Sequence, residues 1–429
     1  MPPSVSRSNF ELPSFFCSNL SGPDQLIDNR VKVTRVTFCF KFIRSGIMYR
    51  ELKNLFEMAK LKDDMHEIYF NQIIETFAIS LISVFIPIYL LQNGFPLESA
   101  FTFMLVYWGA FLFTPIAAEI SSKIGFKHTI IYRAPLLVIF FLMVFFVNHF
   151  PQILLFIALL GGFSAILYWV STNAEFVKSA DETKGAKQVG YLNALPQISA
   201  VIAPLISALL LTNMGFPIVF TIVIILIALS QLPFLLTSDY KEKFILKMKD
   251  SWLFLDKRFF LLFMIQGVVF SNEFLVWTIF VYQKFGLISA GLTASLFGAG
   301  MVIFTLIIGK ASSSSSARKN MLILGSIGYA FLCILRISTS TVTEVILISL
   351  LAGIFTTMIS IPIYVAFTER AKKSGILNWV TFRDFSLASG RVVFMLLAIA
   401  FLLFSIENVF YTAFTIAGIF SILLVLLAK

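Results

Sequence analysis

The sequence predicts an all-α membrane protein with twelve transmembrane helices, arranged as two similar halves of six. Three observations predict this fold. About twelve apolar stretches lie between Ile68 and Lys429, basic residues concentrate in alternate gaps between them, and the second half repeats features of the first. Each stretch is long enough for a transmembrane helix, which takes about 20 mostly apolar residues. The composition agrees, since 58% of the chain is hydrophobic and only 13% is charged, unlike ordinary soluble proteins.

The first element is an N-terminal extension, residues 1–65, which we expect on the cytoplasmic side. Residues 1–30 are rich in Ser, Pro and Asn without helical periodicity, so we expect this part to be disordered. From Met48 onward, apolar and charged residues alternate at helical spacing and predict an amphipathic helix along the inner leaflet. The order of regions typical of a signal peptide is not found. We also expect that translation starts at Met48 and that residues 1–47 are a start-site artefact.

The predicted spans follow in two groups, residues 66–237 and 258–429, joined by a short basic cytoplasmic linker at 238–257. We place the first six spans at 68–93, 99–120, 129–149, 152–174, 187–213 and 216–237. We place the second six at 258–284, 288–311, 320–340, 343–368, 376–405 and 408–428. The linker is too short to hold a soluble domain.

The charge pattern predicts the orientation of the chain in the membrane. One set of alternate gaps holds 18 Lys and Arg residues, whereas the other holds Lys284 alone, or two if Arg336 is counted. By the positive-inside rule, this predicts a multi-pass protein of the cytoplasmic membrane with both termini in the cytoplasm. The net charge of +10 then reflects loops that meet anionic lipid headgroups, and we expect no nucleic-acid partner.

The two groups of spans repeat at a constant offset of 191 residues. Several features coincide at this offset without gaps: Gln92 with Gln283, Gly162 with Gly353, Phe176 with Phe367, and Asn193 with Asp384. Two six-helix halves in the same orientation imply a parallel repeat about an axis normal to the membrane. In transporters built this way, the substrate site lies between the halves near the membrane midplane.

The loop after the second span, AEISSKIGFKH at residues 118–128, resembles the corresponding loop of the major facilitator superfamily. The family pattern is roughly G-x-L-a-D-r-x-G-r-k; Lys123, Gly125 and Lys127 fit it, whereas Ala118 and Ser122 replace its first glycine and its acid. Topology and loop together give a resemblance over residues 66–429. The resemblance implies alternating access by rocking of the two halves, with proton coupling or facilitated exchange. Members of the family are mostly monomers, so we also expect a monomer.

A cytoplasmic gate is implied by the same resemblance, because the acid of the loop helps to latch that side. Glu119, one turn before Ser122, is the candidate to replace the missing acid. Arg383 and Asp384 lie near the inner end of the eleventh span and are read as a structural latch. The gate candidates are therefore Glu119, Lys123, Gly125, Lys127, Arg383 and Asp384.

Charged residues inside a bilayer are costly and are functional candidates by default. Glu273 and Arg391 each lie about fifteen residues into their spans, so we expect them at equal depth, facing one another or a shared wet cavity. Glu75 lies closer to the inner surface. We predict Glu273 and Glu75 as proton-coupling residues and Arg391 or Arg383 as the partner of an anionic substrate group, with static ion pairs as the alternative.

Helical geometry predicts the directions of the remaining membrane charges. Asp384 and Arg391 are seven residues apart and share a face, whereas Arg383 points roughly 100° away from Asp384. Arg336 and Lys284 lie at helix ends, where long basic side chains usually extend to the surface. We therefore expect both to snorkel.

The family resemblance also implies a central cavity lined by spans 1, 4, 7 and 10. Span 5 contributes polar residues around Pro196, where a proline permits a bend. Trp169 and Trp277 are candidates to stack on a sugar or an aromatic ring, with packing as the commoner alternative. The substrate-binding candidates are Arg391, Asn272, Gln266, Asn71, Tyr168, Trp169, Asn193 and Gln197.

These features predict a secondary active transporter for a small organic solute, with protons as the expected coupling ion and with no metal or cofactor. The membrane arginines favour an anion and the aromatic residues favour an apolar compound, so the substrate class stays open. The alternatives are a lipid-linked flippase of another twelve-helix superfamily, a membrane-embedded enzyme and a channel. The basic loops argue against the flippase. No nucleophile or His/Asp constellation supports an enzyme, no GxxxxGK[ST] loop supports ATP drive, and no filter-like repeat supports a channel.

Overall fold

A computed structural model describes residues 63–179, 185–235, 256–308, 315–374, 376–404 and 408–427. All regular structure within these ranges is helical. The predicted N-terminal extension before Asp63 and most of the predicted linker at 238–257 lie outside the described residues. The backbone of Asn193 is described as helix, but its side chain also lies outside them.

The first half of the chain forms helices whose order matches the predicted spans. They are α1 Asp63–Ile82, a 3₁₀ turn Ser83–Phe85, α2 Ile86–Gln92, α3 Leu97–Gly109, a 3₁₀ turn Ala110–Phe113, α4 Thr114–Ile124, α5 Phe126–Phe145, α6 Leu154–Ser179, α7 Gly185–Met214 and α8 Phe216–Ser230. The pairs α1–α2 and α3–α4 each form one interrupted membrane crossing. Crossings 1 to 6 are thus α1–α2, α3–α4, α5, α6, α7 and α8.

The second half begins with a crossing that contains a π-helical segment. Its elements are α9 Lys257–Ser271, the π segment Asn272–Trp277, α10 Thr278–Ile308, α11 Ser315–Ile337, α12 Val342–Ser374, α13 Ile376–Leu402 and α14 Val409–Leu427. Helix α10 is broken at Gly286, whose backbone is not helical (φ 84°, ψ −177°). Crossing 7 therefore ends at this glycine, and the rest of α10 forms crossing 8. Helices α11, α12, α13 and α14 are crossings 9 to 12.

The described helices agree with twelve crossings. Ten are long and apolar enough to cross a membrane, and one of these, Lys257–Thr305, is 49 residues long and contains the break at Gly286. The shorter apolar helix Phe216–Ser230 corresponds to predicted span six. The prediction of an all-α, twelve-span membrane protein is confirmed.

Glycines at the ends of crossings let the chain reverse direction. Gly125, between α4 and α5, has φ of +114°, a conformation that costs little for glycine and is strained for other residues. It lies within the 118–128 loop that carries the family resemblance and separates α4 from α5, which runs back across the membrane. The positive φ of Gly286 does the same between crossings 7 and 8.

Two other glycines allow helices to approach closely inside the membrane. A Cβ added at Gly162 of α6 would lie 2.1 Å from the carbonyl oxygen of Tyr107 in α3, and one added at Gly353 of α12 would lie 2.0 Å from that of Phe297 in α10. Small residues at such contacts permit tight packing of membrane helices. Gly162 and Gly353 are 191 residues apart, so the sequence repeat has a counterpart in the packing.

Candidate functional site

A cavity of about 190 Å³ opens between crossings 1, 2, 4, 7 and 11. Its walls are mostly apolar and aromatic. Among the described residues, Arg391 of α13 is the one charged residue that lines it. The aromatic residues of the lining are Phe103, Tyr107, Trp108, Phe111, Trp169, Phe270 and Phe274.

Three interruptions of regular helix lie beside this cavity, in crossings 1, 2 and 7, and the 3₁₀ turn of crossing 2 contributes Phe111 to the lining. In crossing 1, Ser83 opens the 3₁₀ turn, and Pro87 has no N–H to donate to the Ser83 carbonyl one turn earlier. In crossing 7, Phe274 lies in the π segment. Ser83 and Phe274 both line the cavity and are 191 residues apart. Interrupted helices at corresponding positions of two repeats indicate a transporter binding site, and π segments often occur at functional sites.

Arg391 places a positive charge next to aromatic rings. Its guanidinium carbon lies 5.7 Å from the ring centroid of Trp108 and 5.8 Å from that of Phe111, within the range of a cation–π interaction. Its Nε is buried without a hydrogen-bond partner. Among the described residues it forms no ion pair, although Asp384 lies close enough to act on its charge.

The predicted pairing of Glu273 with Arg391 is wrong. Glu273 pairs with Arg336, whose Nη1 and Nη2 lie 2.6 and 2.8 Å from its two carboxylate oxygens. The Tyr329 hydroxyl also donates to Glu273 over 2.5 Å. Equal depth along two helices says nothing about the direction in which each side chain points, and this is why the depth argument selected the wrong arginine.

The predicted snorkelling of Arg336 is also wrong, since its side chain is fully buried. Side chains of a helix lean towards its N-terminus, so an arginine near the C-terminal end of α11 reaches back into the membrane. The Arg336 guanidinium lies 4.7 Å from the ring of Trp277. Trp277 is itself buried and donates to Ser349 over 3.1 Å, so it packs in the protein rather than lining the cavity. Lys284 donates to the backbone carbonyl of Thr339.

Glu75 forms a second buried ion pair, with Arg133 of α5. Both side chains are inaccessible, and the Arg133 guanidinium lies 4.3 Å from the ring centroid of Tyr168 in α6. Arg133 was counted among the 18 basic residues of the cytoplasmic gaps, so this pairing was not predicted. The signal in the sequence was its position four residues inside the predicted span 129–149. In the structure it lies seven residues after Phe126, the first residue of α5.

The second carboxylate oxygen of Glu75 faces neutral amides. It accepts from Gln231 over 3.3 Å and from Asn71 over 3.5 Å, while Asn71 also donates to the Ser230 carbonyl over 2.9 Å. The Gln231 carbonyl oxygen is buried without a hydrogen-bond partner. One carboxylate oxygen of Glu75 therefore faces the Arg133 guanidinium, and the other faces amide side chains that can donate or accept hydrogen bonds.

The structure distributes the predicted substrate-binding residues over several places. Arg391 and Trp169 line the cavity. Asn272 donates to the Tyr329 hydroxyl over 2.9 Å, beside Glu273, and Gln266 donates to Ser360 over 2.9 Å. The remaining candidates lie outside the cavity lining or outside the described side chains: Asn71 and Tyr168 beside the Glu75–Arg133 pair, half-buried Gln197 in α7, and Asn193.

Among the described residues, Glu119 of the 118–128 loop forms no ion pair with another helix. Glu119 pairs with Lys123, one turn away in the same helix, at 2.6 Å, and both side chains are largely exposed. Such exposed pairs contribute little stability. Lys127 is buried in the first turn of α5, next to Gly125.

Arg383 and Asp384 form an ion pair with each other, with Nη2 and Nε of Arg383 at 2.8 and 2.9 Å from the same oxygen of Asp384. The prediction that they diverge is wrong for their charged ends, because the long arginine side chain bends back.

A further ion pair joins Asp256, the N-cap of α9, to Arg370 near the end of α12. Partial burial raises the pKa of Asp256, but the hydrogen bond and charge of Arg370 and two backbone donors outweigh it and lower the pKa below its usual 3.8.

Comparison with known proteins agrees with this architecture. A family model described as Major Facilitator Superfamily matches residues 68–287, slightly more than half of the chain. The fold is similar to a transporter of that superfamily, FucP, in the outward conformation, with a TM-score of 0.62, 12% identity, and coverage of 85% of this chain and 97% of that one.

Two further solved structures are similar. One is the E. coli fucose:proton symporter, with a TM-score of 0.62, 13% identity and the same coverage. The other is a bacterial homologue of the iron transporter ferroportin in an outward-facing state, with a TM-score of 0.60, 14% identity, and coverage of 86% of this chain and 98% of that one. At such identities the likeness concerns the fold alone. No curated protein matches the sequence significantly.

Proposed function

The chain belongs to the major facilitator superfamily, and from this premise we propose that it is a secondary active transporter. It moves a small organic solute across the cytoplasmic membrane by alternating access and is driven by protons. Both termini face the cytoplasm, as the distribution of basic residues supports, and the protein works as a monomer. Members of this family are transporters, so the premise weighs against the alternatives of a membrane-embedded enzyme and an unrelated flippase.

The observation that carries this proposal is the aromatic cavity around Arg391. Its lining comes from crossings 1, 2 and 4 of the first predicted half and from crossings 7 and 11 of the second. A solute bound there touches both halves, so a rocking movement of one half against the other changes the side from which the solute is accessible. The irregular segments at Ser83 and Phe274 are points at which the helices of crossings 1 and 7 can bend during this movement.

Proton coupling needs a carboxyl group that can be either ionised or protonated without leaving a buried polar group without a hydrogen-bond partner. Both oxygens of Glu273 face the Arg336 guanidinium, which can only donate. The Tyr329 hydroxyl beside them donates to Glu273 and already accepts from Asn272.

One oxygen of Glu75 instead faces Asn71 and Gln231, whose amides offer donors and acceptors. A protonated Glu75 can donate to the Gln231 carbonyl oxygen, which lacks a partner. Of the two predicted proton sites we therefore favour Glu75 and assign Glu273 to structure.

Transport is tested with the full chain in proteoliposomes. We expect labelled solute uptake that saturates with concentration, accelerates when unlabelled solute is placed inside, and increases with an inward proton gradient. The solutes tried are a sugar, an amino acid, an aryl carboxylate and a lipophilic cation. Uptake that neither saturates nor shows counter-exchange would indicate a channel or a leak and would contradict the proposal.

Replacing Glu75 with Gln tests the proton site. The Glu75→Gln variant loses stability, because Arg133 stays buried without its counter-charge. We expect the folded variant to lose acceleration by a proton gradient almost completely, while solute exchange at equal pH continues, because exchange needs no net proton movement. Initial rates with and without a gradient measure this. Glu98→Gln is the matched control, since Glu98 is exposed at the start of α3. Gradient-driven uptake that persists in Glu75→Gln and disappears in Glu273→Gln would reverse the assignment.

A further inference from the structure

We propose that the cavity selects small organic anions with a flat apolar body, such as aryl carboxylates. Arg391 binds the carboxylate, and the aromatic lining holds the ring. This inference rests on the proposed transport function and narrows it to a substrate class. The sequence alone left an anion and an apolar compound as competing possibilities, and the structure places the groups for both in one cavity.

The charge of the cavity favours an anion. Arg391 is the one charged residue of the lining among the described residues, and acidic side chains are absent from that lining. A guanidinium has a planar set of donors that matches a carboxylate in a bidentate contact. A cationic solute would meet Arg391 without any compensating carboxylate at the cavity wall.

Arg391 forms no ion pair with Asp384, the acid two turns earlier on its own helix face. Oδ1 of Asp384 is held by Arg383 at 2.8 Å, and Asp384 acts on Arg391 only at longer range. Arg391 makes cation–π contacts with the rings of Trp108 and Phe111. These rings hold the side chain in place without cancelling its charge, so the site is prepared for a negatively charged group.

The rest of the lining favours a flat apolar body over a sugar. Trp108, Phe111, Trp169 and Phe274 present aromatic surface to the cavity, on which a ring can pack in offset or edge-to-face geometry. A polyol would need a hydrogen-bond partner for each hydroxyl, and every buried hydroxyl left without one costs binding energy. Apart from Arg391, few side chains of this lining can supply such partners, chiefly Ser83, Tyr107 and the indole N–H groups.

The test is equilibrium binding of benzoate to the detergent-purified full chain, followed by intrinsic tryptophan fluorescence and thermal shift. We expect saturable binding of benzoate, and at least tenfold weaker binding of benzyl alcohol, benzylamine, acetate and fucose. These probes separate the contributions of charge, charge sign, ring and hydroxyl groups.

Variants assign the binding to the proposed groups. Arg391→Gln is expected to weaken benzoate binding roughly 10- to 100-fold, the range for a lost charged hydrogen-bond pair. Arg391→Lys is expected to weaken it less, because it keeps the charge but loses the planar donor set. Trp108→Leu is expected to weaken benzoate binding without changing that of acetate. Arg258→Gln is the control, since Arg258 is an exposed arginine at the start of α9, outside the cavity.

The outcomes separate this inference from the transport proposal. Absence of benzoate binding, or binding that is unchanged in both Arg391 variants, overturns the inference even if a neutral solute shows saturable exchange in proteoliposomes. Binding of benzoate that depends on Arg391 supports the inference. If benzoate binds in this way but no solute, benzoate included, is exchanged across the membrane, the anion site stands and the transport proposal fails.

Discussion

Replacing Glu273 with Gln is expected to lower the free energy of unfolding by about 3–5 kcal/mol, the cost of breaking a buried ion pair from one side. The reason is that Arg336 would remain buried without a counter-charge. The two side chains are 2% and 0% exposed and meet through two contacts of 2.6 and 2.8 Å. Tyr329 and Trp277 enclose the pair, so water cannot replace the lost carboxylate.

Chemical unfolding of the full chain in detergent measures this effect. Arg336→Gln should destabilise the protein similarly, and the double variant Glu273→Gln/Arg336→Gln should cost less than the sum of the two, since neither partner is then left charged and alone. The exposed pair Arg318–Glu369, at 2.8 Å with side chains 21% and 59% exposed, is the control. Glu369→Gln should change stability by less than about 1 kcal/mol. Equal effects of Glu273→Gln and Glu369→Gln would contradict the structural role assigned to Glu273.

Replacing Gly162 or Gly353 with Ala is expected to destabilise the protein by about 1–3 kcal/mol, the usual cost of overpacking. The added methyl group would lie 2.1 Å from the Tyr107 carbonyl oxygen in the first case and 2.0 Å from the Phe297 carbonyl oxygen in the second. Both obstacles are backbone atoms of a neighbouring helix. They cannot rotate away as a side chain does, so the helices must move apart.

Gly109, at the end of α3, is the control for a glycine-to-alanine change that meets no backbone obstacle. A Cβ added there would have Val392 Cγ2 as its nearest neighbour, at 3.8 Å, which is ordinary contact. Because alanine is also the better helix former, Gly109→Ala should leave stability unchanged or raise it by about 0.4–1 kcal/mol. The same unfolding assay applies to all three variants. If Gly162→Ala were as stable as Gly109→Ala, the close approach of α3 and α6 would be incorrect.

The class of the protein and the order of its crossings could be predicted from the sequence because they depend on local properties. The length of an apolar stretch decides whether it can span a bilayer, and nearly all predicted spans coincide with described helices. The repeat also follows from the sequence, since Gly162 and Gly353 lie 191 residues apart and both make a close contact with a neighbouring helix. The π-helical segment of crossing 7 was not predicted, because residues 272–277 contain no proline or glycine that would indicate an irregular helix.

The candidate site was predicted only in part, and the errors share one physical cause. Arg391 and Trp169 were selected from their depth and residue type, and both line the cavity. The arginine partners of the buried carboxylates Glu75 and Glu273 were not predicted. Depth along a helix does not determine how the helix is rotated about its axis, and an arginine side chain spans more than one helical turn. The sequence by itself determined the fold class, the crossings and the existence of costly membrane charges. Only the tertiary structure decided that Arg133 and Arg336 neutralise Glu75 and Glu273 and that Arg391 lines the cavity, since such pairings depend on which helix faces meet.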